Sequence, residues 1–288
     1  MVQFANGGVT EQQNQIQAMI EKGAKVLVVG SIDGSQLGTQ LATARENGAF
    51  VIAYERLITN TPDVDFKVGF DAYQVGALQG ESLLAGLAAR KGDGPYNIEL
   101  IAGSPDDASS KDFFDGAMSI LQPKLDDGSL TVPSGQITFE QVGTQGWKAE
   151  NVQKRFDSLM SGFYQEIDLH GVLSPNDTLA RAAMASVRAA GKDVPVLTGQ
   201  DSEVESVKSI MAGEQWSTIY KDTHTLVAQT VDFVKQLQQG QTLPTNADPV
   251  NNGTIDVPVY LIPPVIVTKE NAAEAYANDP NLGPLTKG

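Results

Sequence analysis

Gly171-Val172-Leu173-Ser174-Pro175-Asn176-Asp177, Val194-Pro195-Val196-Leu197-Thr198-Gly199-Gln200-Asp201-Ser202-Glu203 and Ser217-Thr218-Ile219-Tyr220-Lys221-Asp222 repeat one pattern. Each is a short apolar run, then a polar turn, then the start of a helical stretch. A short apolar run of this kind reads as a strand buried on both faces. The turn therefore stands at the carboxyl end of a strand, which puts Asn176, Asp201 and Lys221 at the ends of successive strands. In open α/β sheets, ligands bind in the crevice outside those ends. An amide, a carboxylate and an ammonium suit a polar ligand. No nucleophile–base pair or metal cluster accompanies them in the sequence, so the pattern favours a binding cleft over a reaction centre.

The alternation extends outward in both directions. Val2 to Ala5 is strand-like, and Thr10 with Gln13 makes a capping box for a helix that Gly23 ends. Strands are expected at Lys25–Val29, Phe50–Ala53, within Val64–Phe70, at Asn97–Ala102 and at Gly135–Phe139. Helices are expected up to Gly48, over Tyr73–Arg90, Asp112–Leu121 and Lys148–Gly162. Helices over Leu179–Ala190, Glu203–Ala212 and Thr223–Gln239 follow, with a last strand at Val257–Ile262. The tail beyond Asn271 is polar and is expected to fray. Repeated strand–helix–strand units imply α/β architecture with parallel sheets covered by helices. There are too many strands for one tidy sheet, and two similar doubly wound lobes solve that economically. Gly103-Ser104-Pro105 breaks the alternation and is taken as a crossing. The expected lobes are residues 1–103 with 222–256, and residues 104–221 with 257–288.

Composition narrows the function classes. The 288 residues are 41% hydrophobic and 19% charged, enough for sizeable cores. A net charge of −15 argues against a nucleic-acid surface or an anionic membrane surface. There is no cysteine, hence no disulfide framework and no thiolate metal site. No apolar run reaches the roughly 18 residues of a membrane span. No secretory signal is read in the first residues. The two histidines, His170 and His224, lie far apart and read as surface or packing residues. Asn-x-Ser/Thr matches at Asn176 and Asn252 are uninformative.

Several stretches then resemble one family in correct succession: Lys25 to Gly34 (KVLVVGSIDG), Ala53 to Ile58 (AYERLI), Gly103 to Asp107 (GSPDD), Asp115 to Met118 (DGAM) and Gly199-Gln200-Asp201. The chain is identified as similar, over essentially its whole length, to the two-lobed type I periplasmic sugar-binding proteins of ABC importers. The xylose-binding and multiple-sugar-binding (virulence-associated) branches resemble it most. The resemblance implies a non-enzymatic receptor, periplasmic or extracellular, that closes two lobes over a monosaccharide. It implies delivery to a membrane permease, a monomeric state, and neither cofactor nor nucleic-acid partner. Members of this family begin with a strand and helix that would precede Val2. That strand sits inside the N-terminal sheet, so its neighbours are expected to show unpaired backbone groups. An upstream signal or lipidated anchor is left open.

The candidate ligand residues are Glu55, Arg56, Asp107, Ser109, Trp147, Asn176, Asp201 and Lys221. Carboxylates, amides and guanidinium groups each engage neighbouring hydroxyls, and an aromatic plane takes the C–H face of a sugar ring. The resemblance implies an Asp-Arg pair where Glu55-Arg56 stands, and Asp-Asn-Asn where Asp107-Ala108-Ser109 stands. Both departures bear on sugar preference. Each candidate has a bland alternative: a structural ion pair for Glu55 and Arg56, a helix cap for Asp107 or Asn176, core packing for Trp147, a solvated charge for Lys221. Asp177 can cap that helix as well, which leaves Asn176 free for the ligand, the reading favoured here. Asp71 is a weaker candidate, and Trp216 is expected in the core. Two rival readings remain. One is the sensing lobes of a sugar-responsive transcription regulator. The other is a sugar-converting enzyme acting through Asp107 or Asp201.

Overall fold

The computed structural model describes residues 1–287. In chain order the elements are α1 (Val9–Glu21), β1 (Val26–Val29), α2 (Gly38–Glu46), β2 (Phe50–Tyr54), β3 (Phe66–Phe70), α3 (Ala72–Lys91), β4 (Tyr96–Leu100) and α4 (Ala108–Asp126). They continue as β5 (Leu130–Thr131), α5 (Phe139–Val142), α6 (Ala149–Gly162), β6 (Gly171–Leu173), α7 (Asp177–Ala189), β7 (Val196–Leu197), α8 (Val204–Met211) and β8 (Ser217–Tyr220). The last are α9 (Thr223–Gln238), β9 (Val250–Asn251), β10 (Asp256–Val257), β11 (Val259–Ile262), β12 (Val265–Thr268) and α10 (Ala272–Ala275).

The chain divides into two units. The first comprises Met1–Asp71, Asp106–Ser109 and Asp222–Pro263. Its sheet is parallel, in the order β1-β2-β3-β11. Successive side chains of a strand point to opposite faces, and the packing follows that parity. Leu27, Val29, Val51 and Ala53 meet Ile16 and Ile20 of α1 and Leu41 and Ala44 of α2. Ile52, Phe66 and Val68 meet Leu226 and Phe233 of α9. Each fully buried side chain of this size stabilises by about 1.5–3 kcal/mol. Val28 pairs in register with Ile52 but is 43% exposed, because β1 is the edge of the sheet.

The second unit comprises Ala72–Pro105, Ser110–Lys221 and Pro264–Gly288. Its main sheet is parallel, β5-β4-β6-β7, and β8 pairs antiparallel with β12. One face packs against α6 and α7 through Phe156, Leu159, Leu179 and Val187. The other packs against α3 and α4 through Leu83, Leu87, Ala117 and Leu121.

The alternation read from sequence holds, with local corrections. Residues 72–103 belong to the second unit rather than the first, because β4 hydrogen-bonds to β5 and β6. β11 belongs to the first unit, because it pairs with β3; the chain leaves that unit at Pro263-Pro264. Gly103-Ser104-Pro105 leads into a short return, Asp106–Ser109, to the first unit. Val2 to Ala5 forms no strand, and Val2 and Phe4 are exposed. β1 and β2 pair directly, so no interior gap lies between them. The N-cap of α1 is Gly8, with no side-chain cap, so the Thr10–Gln13 box is not used. Gly135–Phe139 is not a strand; Thr138 and Gln141 make a capping box there and start α5. The tail is packed rather than frayed. Tyr276 is fully buried, stands edge-on to Tyr220, and donates its hydroxyl to Ser202 Oγ at 2.7 Å.

Candidate functional site

The candidate residues fall into two sets, one in each unit; all but Trp147, which lies between α5 and α6, are carried by segments that leave the carboxyl ends of strands. In the first unit, β2 ends at Tyr54 and hands the chain to Glu55 and Arg56. Arg56 is fixed by a web of acceptors. Its Nη1 donates to the carbonyl of Ile32 at 2.9 Å, and its Nε pairs with Asp107 Oδ2 at 3.1 Å. Glu55 Oε2 lies 4.0 Å from the same Nε. Arg56 keeps a third of its side chain exposed, whereas Asp107 is almost wholly covered. Asp107 also accepts the Ser109 N–H at 3.0 Å in the first turn of α4. The ion pair and the cap are thus simultaneous roles of one carboxylate, and they bring Arg56, Asp107 and Ser109 together. Glu55 helps hold the Tyr54 phenol protonated, after burial, which pushes that group up first.

In the second unit, Asp201 and Lys221 form the charged centre. Lys221 Nζ lies 3.1 Å from Asp201 Oδ1, and its side chain is only 11% exposed. It is therefore not the solvated surface charge of the bland alternative. It also sits over the Phe113 ring, 5.9 Å from the centroid, an arrangement in which an ammonium is attracted by the ring face. Asn176 is the N-cap of α7: its Oδ1 accepts the Leu179 N–H at 2.9 Å. The expectation that Asp177 caps and frees Asn176 is overturned. Asp177 is buried and turned to another task, so only the amide Nδ2 side of Asn176 offers further chemistry.

Trp147 ends a short turn, Gln145–Trp147, just before α6. Its ring lies against Gly103, where any Cβ would overlap it, and it touches the apolar clusters around Phe113 and Phe156. Its indole Nε1 is buried and makes no hydrogen bond. Trp216, by contrast, packs on the α3 side of the sheet beneath the Arg90 guanidinium, as expected of a core residue. His170 accepts the Asn97 N–H at 2.8 Å, a packing role.

Backbone strain falls on three of the candidates and on Ser202, next to one of them. Positive φ at non-glycine residues occurs at Glu55 (65°), Trp147 (56°), Asp201 (90°) and Ser202 (51°), besides Asn6 and Asn60. Such conformations cost on the order of 1 kcal/mol or more each and persist where surrounding contacts over-determine them. Sequence could not show this, because nothing in the local residue types demands it. Sequence reading also missed the Ile32 carbonyl that orients Arg56, Gly103 as the seat of Trp147, and Phe113 beneath Lys221. Gly103 carried the one usable signal, being a glycine directly after a strand. Among the described residues no group of three or more acidic or histidine side chains is placed to hold a metal ion.

A pair of α/β units with polar, partly charged residues at the strand ends is the architecture of a solute receptor. Residues 1–242 match the family described as periplasmic binding protein domain. The chain belongs to that family, within its sugar-binding receptors of ABC transporters. The multiple sugar-binding periplasmic receptor ChvE of Rhizobium radiobacter is 45% identical over 94% of this chain and 78% of its own length. The D-xylose-binding periplasmic protein of Escherichia coli is 34% identical over 96% of this chain and 80% of its own. Among solved structures, an ABC transporter solute-binding protein from Clostridium phytofermentans with bound β-D-glucose superposes with a TM-score of 0.92. It is 38% identical, covering 99% of this chain and 89% of that one. These relatives are receptors rather than enzymes.

Proposed function

We propose that this chain binds a monosaccharide of the aldose class and delivers it to an ABC importer outside the cytoplasmic membrane. The observation that carries the reading is the pair of opposite-charge couples, Arg56–Asp107 and Lys221–Asp201, each at strand ends and each beside strained backbone. A sugar hydroxyl both donates and accepts. A carboxylate takes its proton while a neighbouring cation donates to its oxygen, so each couple can engage adjacent hydroxyls. In this reading Trp147 offers a ring face to the sugar's C–H groups, and Asn176 and Ser109 add an amide and a hydroxyl. Glucose bound in one relative's structure and the xylose-binding name of another support an aldose.

Calorimetric titration against D-glucose, D-xylose, D-galactose and L-arabinose tests the reading. Saturable 1:1 binding at micromolar or tighter affinity, lowered at least tenfold in Asp201→Ala, is expected; loss of one charge-assisted hydrogen bond is worth about that much. Absence of heat from every aldose in a folded protein would refute it.

A further inference from the structure

Asp177 is a carboxylic acid with no solvent exposure. It belongs to no ion pair among the described contacts of its side chain, and it is not the cap of its own helix. Its contacts instead converge on the loop that carries Asp201. The Asp177 N–H donates to the Gln200 carbonyl at 3.0 Å. Its Oδ2 accepts the Glu203 N–H at 2.9 Å and the Thr218 hydroxyl at 3.0 Å. That same Thr218 hydroxyl accepts the Ser202 N–H at 3.2 Å. Its Oδ1 accepts the Gln215 amide at 2.9 Å. The residues on both sides of Asp201 are therefore held by one residue, Asp177: Gln200 by its backbone N–H, Glu203 by its carboxyl group directly and Ser202 through one hydroxyl. The space for the carboxylate exists because residue 199 is glycine: a Cβ there would run into Asp177 Oδ1.

We infer that Asp177 is the positioning residue of the binding site, holding Asp201 and Ser202 in their left-handed backbone so that Asp201 meets Lys221. The inference rests on the proposed role of Asp201 in sugar binding. The residue type follows from the donors. The two carboxyl oxygens accept the Gln215 and Glu203 N–H groups whether or not a proton is shared with the Thr218 hydroxyl, whereas an amide in the same place turns an N–H toward one of those N–H donors. Ordinary capping or solubility would not require an acid here.

Two readouts on the whole chain test this. In the sugar-free protein, Asp177→Asn should accelerate amide hydrogen exchange at Ser202 and Glu203, and Thr218→Val at Ser202 alone. In titrations with D-glucose and D-xylose, Asp177→Asn should weaken binding about tenfold, the order expected when one hydrogen bond holding the loop is lost and its buried donor is left unpaired. Added to Asp201→Ala it should cause no further loss, because it acts through Asp201. Added to Arg56→Ala, in the other unit, it should cause its full loss again. Unchanged exchange at both amides, or full additivity with Asp201→Ala, would overturn the inference. A wild type that binds neither sugar, or an Asp201→Ala that binds like wild type, would sink the sugar role of Asp201 instead; the exchange readout then decides the grip on the loop by itself. Should Asp177→Asn fail to fold, Thr218→Val carries both readouts.

Discussion

At the scale of single residues, the site is built from side chains whose placement depends on neighbours that contribute no polar group of their own. Gly103 is the clearest case. Its missing Cβ is the room in which the Trp147 ring lies. Gly103→Ala is expected to push that ring aside and lower sugar affinity about tenfold or more, with a shift in tryptophan emission on the sugar-free protein; overpacking of this kind costs about 1–3 kcal/mol. An alanine variant that binds sugar as tightly as wild type would mean that Trp147 does not serve the ligand. Residue types at the site were legible in the sequence because Asn176, Asp201 and Lys221 each stand in the turn that follows an apolar run. Their division of labour was not. Asn176 and Asp177 are both good caps, and which of them caps depends on Gly199 and Gln215, far along the chain, making room and donors for Asp177.

At the scale of elements, α7 carries the main titratable liability of the second unit. Burial pushes the Asp177 carboxyl up to about 8; hydrogen bonds from Gln215, Glu203 and Thr218 pull it down, and the nearby Asp201 carboxylate pushes it further up. Around it also stand Lys221, paired with Asp201, the Arg181–Glu203 couple and the Tyr276 phenol. The folded state keeps this proton in the window where an unfolded aspartic acid, of ordinary value 3.8, has released it. The unfolded state then binds fewer protons, so stability contributed by this group is complete below the unfolded value and is lost as pH rises toward about 8. Glu99, buried in β4, is shifted upward as well, first by burial, and adds to the same slope. The Tm difference between wild type and Asp177→Asn should therefore shift against the wild type as the pH rises from 4 to 8. Parallel slopes would contradict the protonation assigned here. Helices were the most legible elements, because their apolar spacing is local. The tail was misread because its sequence is polar, while Tyr276 is held by Tyr220 and Ser202 from distant elements. A further consequence follows from that burial. Tyr276→Ala should cost about 3–5 kcal/mol of stability, as large-to-small changes in cores do, measured by denaturant unfolding; a cost near zero would restore the frayed tail.

At the scale of the whole molecule, two units of α/β type and the sugar-receptor family agree with the alternation and motifs read from sequence. The unit boundaries were less legible. Gly103-Ser104-Pro105 interrupts the alternation locally, but β4 joins the second unit through hydrogen bonds to β5 and β6, partners whose identity no local signal encodes. Pro263-Pro264 was a true local mark of a boundary, yet β11 before it pairs with β3, nearly two hundred residues earlier. The most direct test is a crystal structure of the chain with D-glucose or D-xylose bound. Sugar bound against Asp201, Lys221 and the Trp147 ring is the predicted result. A sugar bound elsewhere, or not touching Asp201, would contradict it.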